Sequence, residues 1–138
     1  MLPKWHVLLG AILSIILTIF FGFSWQASLI VFIASVLIDI DHNIFYILKF
    51  KDISLKKAYT YHAKLSHNHK PMMHIFHTAE FLFIILSLSF LFPIFMLLFL
   101  GMLFHSICDF LDMAFKKDLS SREYFLLRFC LSTPSKYI

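Results

Sequence analysis

Eight histidines and eight acidic residues stand in a chain of 138 residues that is otherwise strongly apolar. The ones that could do chemistry fall into four short groups: His6; Asp39, Asp41 and His42; His74, His77 and Glu80; and His105, Asp109 and Asp112. Imidazole mixed with carboxylate is a donor set for Zn²⁺, Mn²⁺ or Fe²⁺ rather than for Ca²⁺ or Mg²⁺ alone. His6, Asp39, His42, His74, His77, His105, Asp109 and Asp112 are therefore read as candidate metal ligands. More than four candidates leave room for one or two ions, or for some acids to orient imidazoles instead of ligating. A remaining carboxylate, Asp41 or Glu80, is a candidate general base toward a metal-activated water.

Spacing supports the grouping. At about 100° per residue, His105, Asp109 and Asp112 share one helical stripe, and His74 and His77 share a face with Glu80 a turn beyond. Asp39 and His42 share a face that Asp41 leaves, so Asp41 either turns away or sits where the helix loosens. Taken singly, each residue has a plainer reading, since a histidine or acid near a helix end can snorkel to headgroups. Alone, His6 reads as interfacial.

The elements that must hold these residues are set by composition. With 60% hydrophobic residues, 18% aromatic and a mean hydropathy of +0.83, the chain exceeds the ~45–50% apolar content of soluble domains. It is expected to be all-α and polytopic, a single membrane domain. Four stretches, 5–22, 27–48, 74–92 and 94–115, each approach the ~20 residues that cross hydrocarbon. The joints at 23–26 and at Pro93, which cannot supply an interior helical hydrogen bond, make two antiparallel hairpins. Counting about 1.5 Å per residue from those joints brings all four groups to one membrane face. Each ionisable group costs about 2.5–3.5 kcal/mol in hydrocarbon. A shared cation compensates several at once.

The segment 49–73 carries Lys49, Lys51, Lys56, Lys57, Lys64 and Lys70 against Asp52 alone, and the positive-inside rule makes it a cytoplasmic loop. Lys4, Lys116, Lys117, Arg122 and Arg128 agree, so both termini are expected on the cytoplasmic side. The tail 116–138 is expected to be interfacial, with an amphipathic helix within 119–131 and with Asp118 and Glu123 solvated. The lysines form no aromatic-interleaved patch, which excludes nucleic acid. They suit the bilayer surface and an anionic phosphate-containing or lipid substrate. His62, His67 and His69 read as a polar loop, because neighbouring lysines disfavour a cation; they could also fold over the site as a lid. Cys108 and Cys130 make no disulfide framework. Neither a G-x-S-x-G elbow nor a P-loop is present, and no G-x-x-x-G spacing reveals an oligomer, which stays open.

Three blocks, 37–42 (Leu-Ile-Asp-Ile-Asp-His), 74–78 (His-Ile-Phe-His-Thr) and 103–112 (Leu-Phe-His-Ser-Ile-Cys-Asp-Phe-Leu-Asp), together with Lys4-Trp5-His6, resemble the signature blocks of the membrane-bound metal-dependent hydrolases. Ile38 stands where that family often has proline, and the 74–78 block is shorter and lacks the family's arginine and glycine. The resemblance implies a several-span inner-membrane protein with Asp39, Asp41, His42, His77, His105 and Asp109 in its site. It implies metal-dependent hydrolysis, with a phosphoester as the natural substrate. The rival reading is a metal-binding membrane protein without catalysis: a carrier, a sensor or a structural site. A carrier needs a polar route across the bilayer, and spans one and four offer only Ser14, Thr18 and Ser106, the outer halves of spans two and three only Ser28, Ser35, Ser87 and Ser89.

Overall fold

The computed structural model describes residues 3–64, 72–119 and 122–131. Helix α1 (Pro3–Phe21) opens on a proline, whose missing N–H costs nothing in a first turn. It stops at Gly22, whose φ of +68° reverses the chain and is open to glycine without a Cβ penalty. Ser24 then accepts the Ala27 N–H at 3.3 Å and starts α2 (Trp25–Leu37). The expected span 27–48 is not one helix: it breaks at Ile38 and Asp39 and resumes as α3 (Ile40–Phe50). Asp41 stands in the first turn of α3, at the place where the helix loosens.

Within 49–73, expected to be a loop, the chain forms α4 (Leu55–Lys64). Ser54 supports its start, its hydroxyl oxygen accepting the Lys57 N–H and its carbonyl the Ala58 N–H. A two-residue strand β1 (Met72–Met73) and a 3-10 turn (Ile75–His77) precede α5 (Ala79–Ser89), whose N-cap is Thr78. Turns at Phe90 and Leu91 lead to α6 (Pro93–Phe115), again opened by proline. Strand β2 (Arg122–Glu123) and α7 (Leu126–Leu131) complete the described chain.

The molecule is almost wholly helical, and three segments are long and apolar enough to cross a membrane: α1, Trp25–Phe50 and α6. The expected span 74–92 shrinks to the 11 residues of α5, about 16 Å of helix against a hydrocarbon layer of about 30 Å. The cause is local. The Phe76 N–H donates to the Asp41 carboxylate at 3.2 Å, which holds 75–77 in a tight turn, and the Thr78 hydroxyl restarts the helix by accepting the Phe81 N–H.

Helix α2 packs against both α1 and α6, and α5 packs on α6. Close approach depends on two glycines. A Cβ at Gly101 would collide with the Val31 carbonyl and Ala34, and one at Gly10 with the Ser35 hydroxyl. Small residues of this kind let membrane helices come within backbone contact.

The distribution of polarity is inverted relative to a soluble protein. Ile19, Phe20, Phe83, Phe90 and Phe115 are exposed, whereas His6, Ser28, Ser35, His77, Thr78, His105 and Asp109 are buried. An apolar exterior around a polar, internally bonded interior is what a lipid solvent selects.

The described part of the tail is not merely interfacial. Strand β2 pairs in parallel with β1, Met72 opposite Arg122 and Met73 opposite Glu123. The Ala79 N–H donates to the Tyr124 carbonyl at 2.9 Å. Glu123, expected to be solvated, is buried and lies 3.6 Å from Arg128, because the strand pairing draws it inward. Cys108 and Cys130 are free thiols.

Candidate metal centre

Two elements deliver the core of the site. The stripe on α6 presents His105 and Asp109 inward, both 1% exposed, and the break between α2 and α3 swings Asp39 toward them. His77 arrives from the 3-10 turn. One atom each from Asp39, His77, His105 and Asp109 forms a group whose members all lie within 4.8 Å of one another.

The distances have the dimensions of a coordination shell. His77 Nε2 lies 3.1 Å from His105 Nε2. Asp39 Oδ1 is 3.3 Å from His105 Nε2 and 3.7 Å from His77 Nε2, and Asp109 Oδ2 is 3.6 Å and 3.8 Å from the same two atoms. A tetrahedron of N and O ligands with bonds of about 2.0–2.2 Å has edges of about 3.3–3.6 Å.

The hydrogen bonds behind the two imidazoles define their tautomers. His105 Nδ1 donates to the Ser35 carbonyl at 2.6 Å, and His77 Nδ1 donates to Asp41 Oδ2 at 3.0 Å. With both Nδ1 atoms carrying hydrogen, each neutral ring presents a bare Nε2 lone pair to the centre. Two lone pairs at 3.1 Å repel unless a metal ion lies among them or one ring is protonated and donates its Nε2 hydrogen to the other. A backbone carbonyl or carboxylate behind the ring is the usual support for a metal-bound histidine.

Asp109 is further held from outside. Its Oδ1 accepts from His6 Nε2 at 3.0 Å, and its Oδ2 lies 2.8 Å from the Arg122 guanidinium. His6 stacks on His105 with ring centroids 3.7 Å apart. His6 thus supports a ligand from the start of α1, and its bond to Asp109 places that start beside the last turns of α6, on one face of the bundle.

A second group adjoins the first: Asp41, His42 and His74. His42 Nδ1 is 2.9 Å from Asp41 Oδ1 and 3.4 Å from Asp39 Oδ1. His74, 2% exposed, stacks on His42 at 3.8 Å, and its Nδ1 is buried without a hydrogen-bond partner, 3.7 Å from Asp41 Oδ1.

Asp112 and Glu80 stand apart from both groups. Asp112 faces Lys116 at 2.6 Å, because the buried stripe of α6 runs on from Asp109 to Met113 and Asp112 lies about 100° round the helix from Met113. Glu80 accepts the Leu126 and Leu127 N–H groups at 3.0 and 3.2 Å and so anchors the start of α7. The carboxylate of Asp41 already receives His42, His77 and the Phe76 N–H. Of the loop histidines, His62 donates to the His42 carbonyl at 3.0 Å; burial, with His42 beside it, pushes it down to about 4, so it is neutral at pH 7. His67 and His69 lie outside the described residues.

In the sequence Arg122 stands out only as a topology-setting charge. No local spacing links it to Asp109, because the β1–β2 pairing that delivers it joins segments some fifty residues apart. The Ser35 carbonyl was equally hidden, since every residue carries one.

No family model, curated protein or solved structure matches this chain, so the geometry of the centre stands by itself.

Proposed function

We propose that the chain is a metal-dependent hydrolase of the cytoplasmic membrane, with one divalent ion, Zn²⁺ or the similarly bound Mn²⁺ or Fe²⁺, held by Asp39, His77, His105 and Asp109. The observation that carries this reading is the pair of Nε2 atoms 3.1 Å apart with both Nδ1 hydrogens directed outward. Catalysis requires an open position, so a water would add to the four protein donors as a fifth ligand; the ion would lower its pKa toward neutrality and polarise an ester oxygen.

The chain's own groups then divide the work. His77 and His105 are oriented by Asp41 and the Ser35 carbonyl. Asp39, whose side chain is 17% exposed against 2% or less for the other three donors, marks the side from which water and substrate enter. We assign Asp39 Oδ2, the oxygen that the ligand set leaves over, to take the proton, since Asp41 and Glu80 are committed to other donors. Arg122 lies beside Asp109 and offers a guanidinium to an anionic oxygen, which favours a phosphoester or a phosphate-bearing lipid. In the bilayer, α5 and α6 form a second hairpin beside α1 and Trp25–Phe50. The site then faces the cytoplasm, with Lys49, Lys56, Lys57 and Lys64 against the anionic leaflet.

Metal binding without catalysis uses the same donors. The carrier version of it is weakened by the hydroxyls inside the helices. Ser14, Thr18, Ser35, Ser87 and Ser89 each donate to a backbone carbonyl, and no ionisable histidine, acid, lysine or arginine accompanies them in 7–38 or 81–104. Elemental analysis of detergent-purified protein, beside a His105→Ala, Asp109→Ala double variant, tests the metal. Bound metal in the native protein and none in the variant is expected; no metal in either sinks both readings. Turnover of phosphodiester and phospholipid panels by the metal-loaded protein then separates enzyme from binder.

A further inference from the structure

The mononuclear centre leaves one part of the interior unexplained. His74 is 2% exposed, and its Nδ1 has no hydrogen-bond partner. A buried polar nitrogen without a partner costs about 1–3 kcal/mol, and such atoms are rare enough in folded proteins to require a reason. This nitrogen faces Asp41 Oδ1 at 3.7 Å, too far for a hydrogen bond but within the range of two ligands on one ion. His42 Nδ1, 2.9 Å from the same oxygen, completes the group once the ion takes the place of the hydrogen it shares with Asp41 and the ring carries its hydrogen on Nε2.

The two groups share an atom. Asp39 Oδ1, 3.3 Å from His105 Nε2 and 3.7 Å from His77 Nε2, is also 3.4 Å from His42 Nδ1. One carboxylate oxygen therefore lies within ligand-to-ligand distance of donors from both groups. Asp41 links them a second way, accepting His77 Nδ1 on Oδ2 while Oδ1 faces His42 and His74.

We propose that Asp41, His42 and His74 bind a second divalent ion, and that Asp39 bridges it to the first, making a two-metal centre for a phosphate ester. This rests on the reading of Asp39, His77, His105 and Asp109 as the first metal site. The substrate class follows from charge. Asp39, Asp41 and Asp109 carry three negative charges against Arg122. One divalent ion brings the set to neutrality at most, whereas two leave it net positive. A positive, water-accessible pair of ions is the arrangement that holds both the attacking and leaving oxygens of a phosphoryl group. The break at Ile38 and Asp39 is what makes it possible, because Asp39 ends one helix and Asp41 and His42 begin the next.

The test is stoichiometry and coupling. Detergent-purified protein is stripped with chelator, reloaded with Mn²⁺ and passed over a desalting column. Metal per chain is then measured for the native protein, His42→Ala, His74→Ala and the His105→Ala, Asp109→Ala double variant. Two ions in the native protein and one in each of His42→Ala and His74→Ala are expected. Electron paramagnetic resonance of the doubly loaded native protein should show an exchange-coupled Mn pair, which histidines scattered on the surface would not give. One ion in the native protein overturns the second site and leaves the first standing. No ion overturns both. Two ions retained in His74→Ala and His42→Ala, or two uncoupled ions in the native protein, also overturn the second site.

Discussion

At the scale of single residues, the candidate metal centre combines groups that could ligate an ion with groups that orient them. Asp41 donates nothing to the first site, yet it fixes the His77 tautomer. Loss of such a partner characteristically weakens metal affinity by about 10–100-fold. Asp41→Asn should therefore lower the affinity of the first site by that order without abolishing it, as read by competition with a chelating dye. Complete loss would make Asp41 a direct ligand of that ion. Arg122 poses the opposite case. It is the cation next to a carboxylate that is 2% exposed, and removing one partner of a buried pair costs about 3–5 kcal/mol. Arg122→Met should lower the melting temperature of the metal-free protein strongly and that of the loaded protein much less, since the ion replaces the lost charge. Equal shifts in both forms would separate Arg122 from the centre.

At the scale of elements, the site is assembled by interruptions. Helices α2 and α3 are one apolar run by composition, and the residues that interrupt it are those that turn inward. The run 74–92 likewise spends its first four residues on an extended residue and a 3-10 turn that present His74 and His77. Only then does it become helical. The rigid counterpart is the α2–α6 contact, where Gly101 meets the Val31 carbonyl. His105 lies one turn further along α6 and bonds the Ser35 carbonyl one turn further along α2, so helix spacing and ligand position are coupled. Gly101→Val should cost at least the about 1–3 kcal/mol of overpacking and reduce metal occupancy, although residue 101 touches no ligand. Thermal unfolding in detergent and metal content measured together would show it; unchanged occupancy would mean the centre tolerates the displacement.

At the scale of the whole molecule, the start of α1, the end of α2, the start of α5 and the end of α6 converge on one face. The joints at 22–24 and 90–92 lie toward the other. In a background with Cys108→Ser and Cys130→Ser, a membrane-impermeant maleimide applied to intact cells should label Ser24→Cys and spare Lys57→Cys. Labelling of Lys57→Cys alone would invert the proposed orientation.

The residues alone determined a good deal of this. Apolar content and the lengths of the runs specified helices in a lipid solvent, because backbone polar groups there must be satisfied internally. The 100° periodicity specified that His105 and Asp109 share a stripe, and the expense of buried charge indicated that the four groups meet. The tertiary structure decided what periodicity cannot reach. Asp41 lay off the Asp39–His42 face on an ideal helix, and only the break at Ile38 and Asp39 returned it to the cluster. Asp112 fitted the stripe by angle from His105, but the buried side of α6 follows Gly101, His105, Asp109 and Met113 and leaves Asp112 at its edge, which only packing defines. Arg122 and the Ser35 carbonyl entered through contacts between segments far apart in the chain, and pairings of that kind leave no local spacing to read.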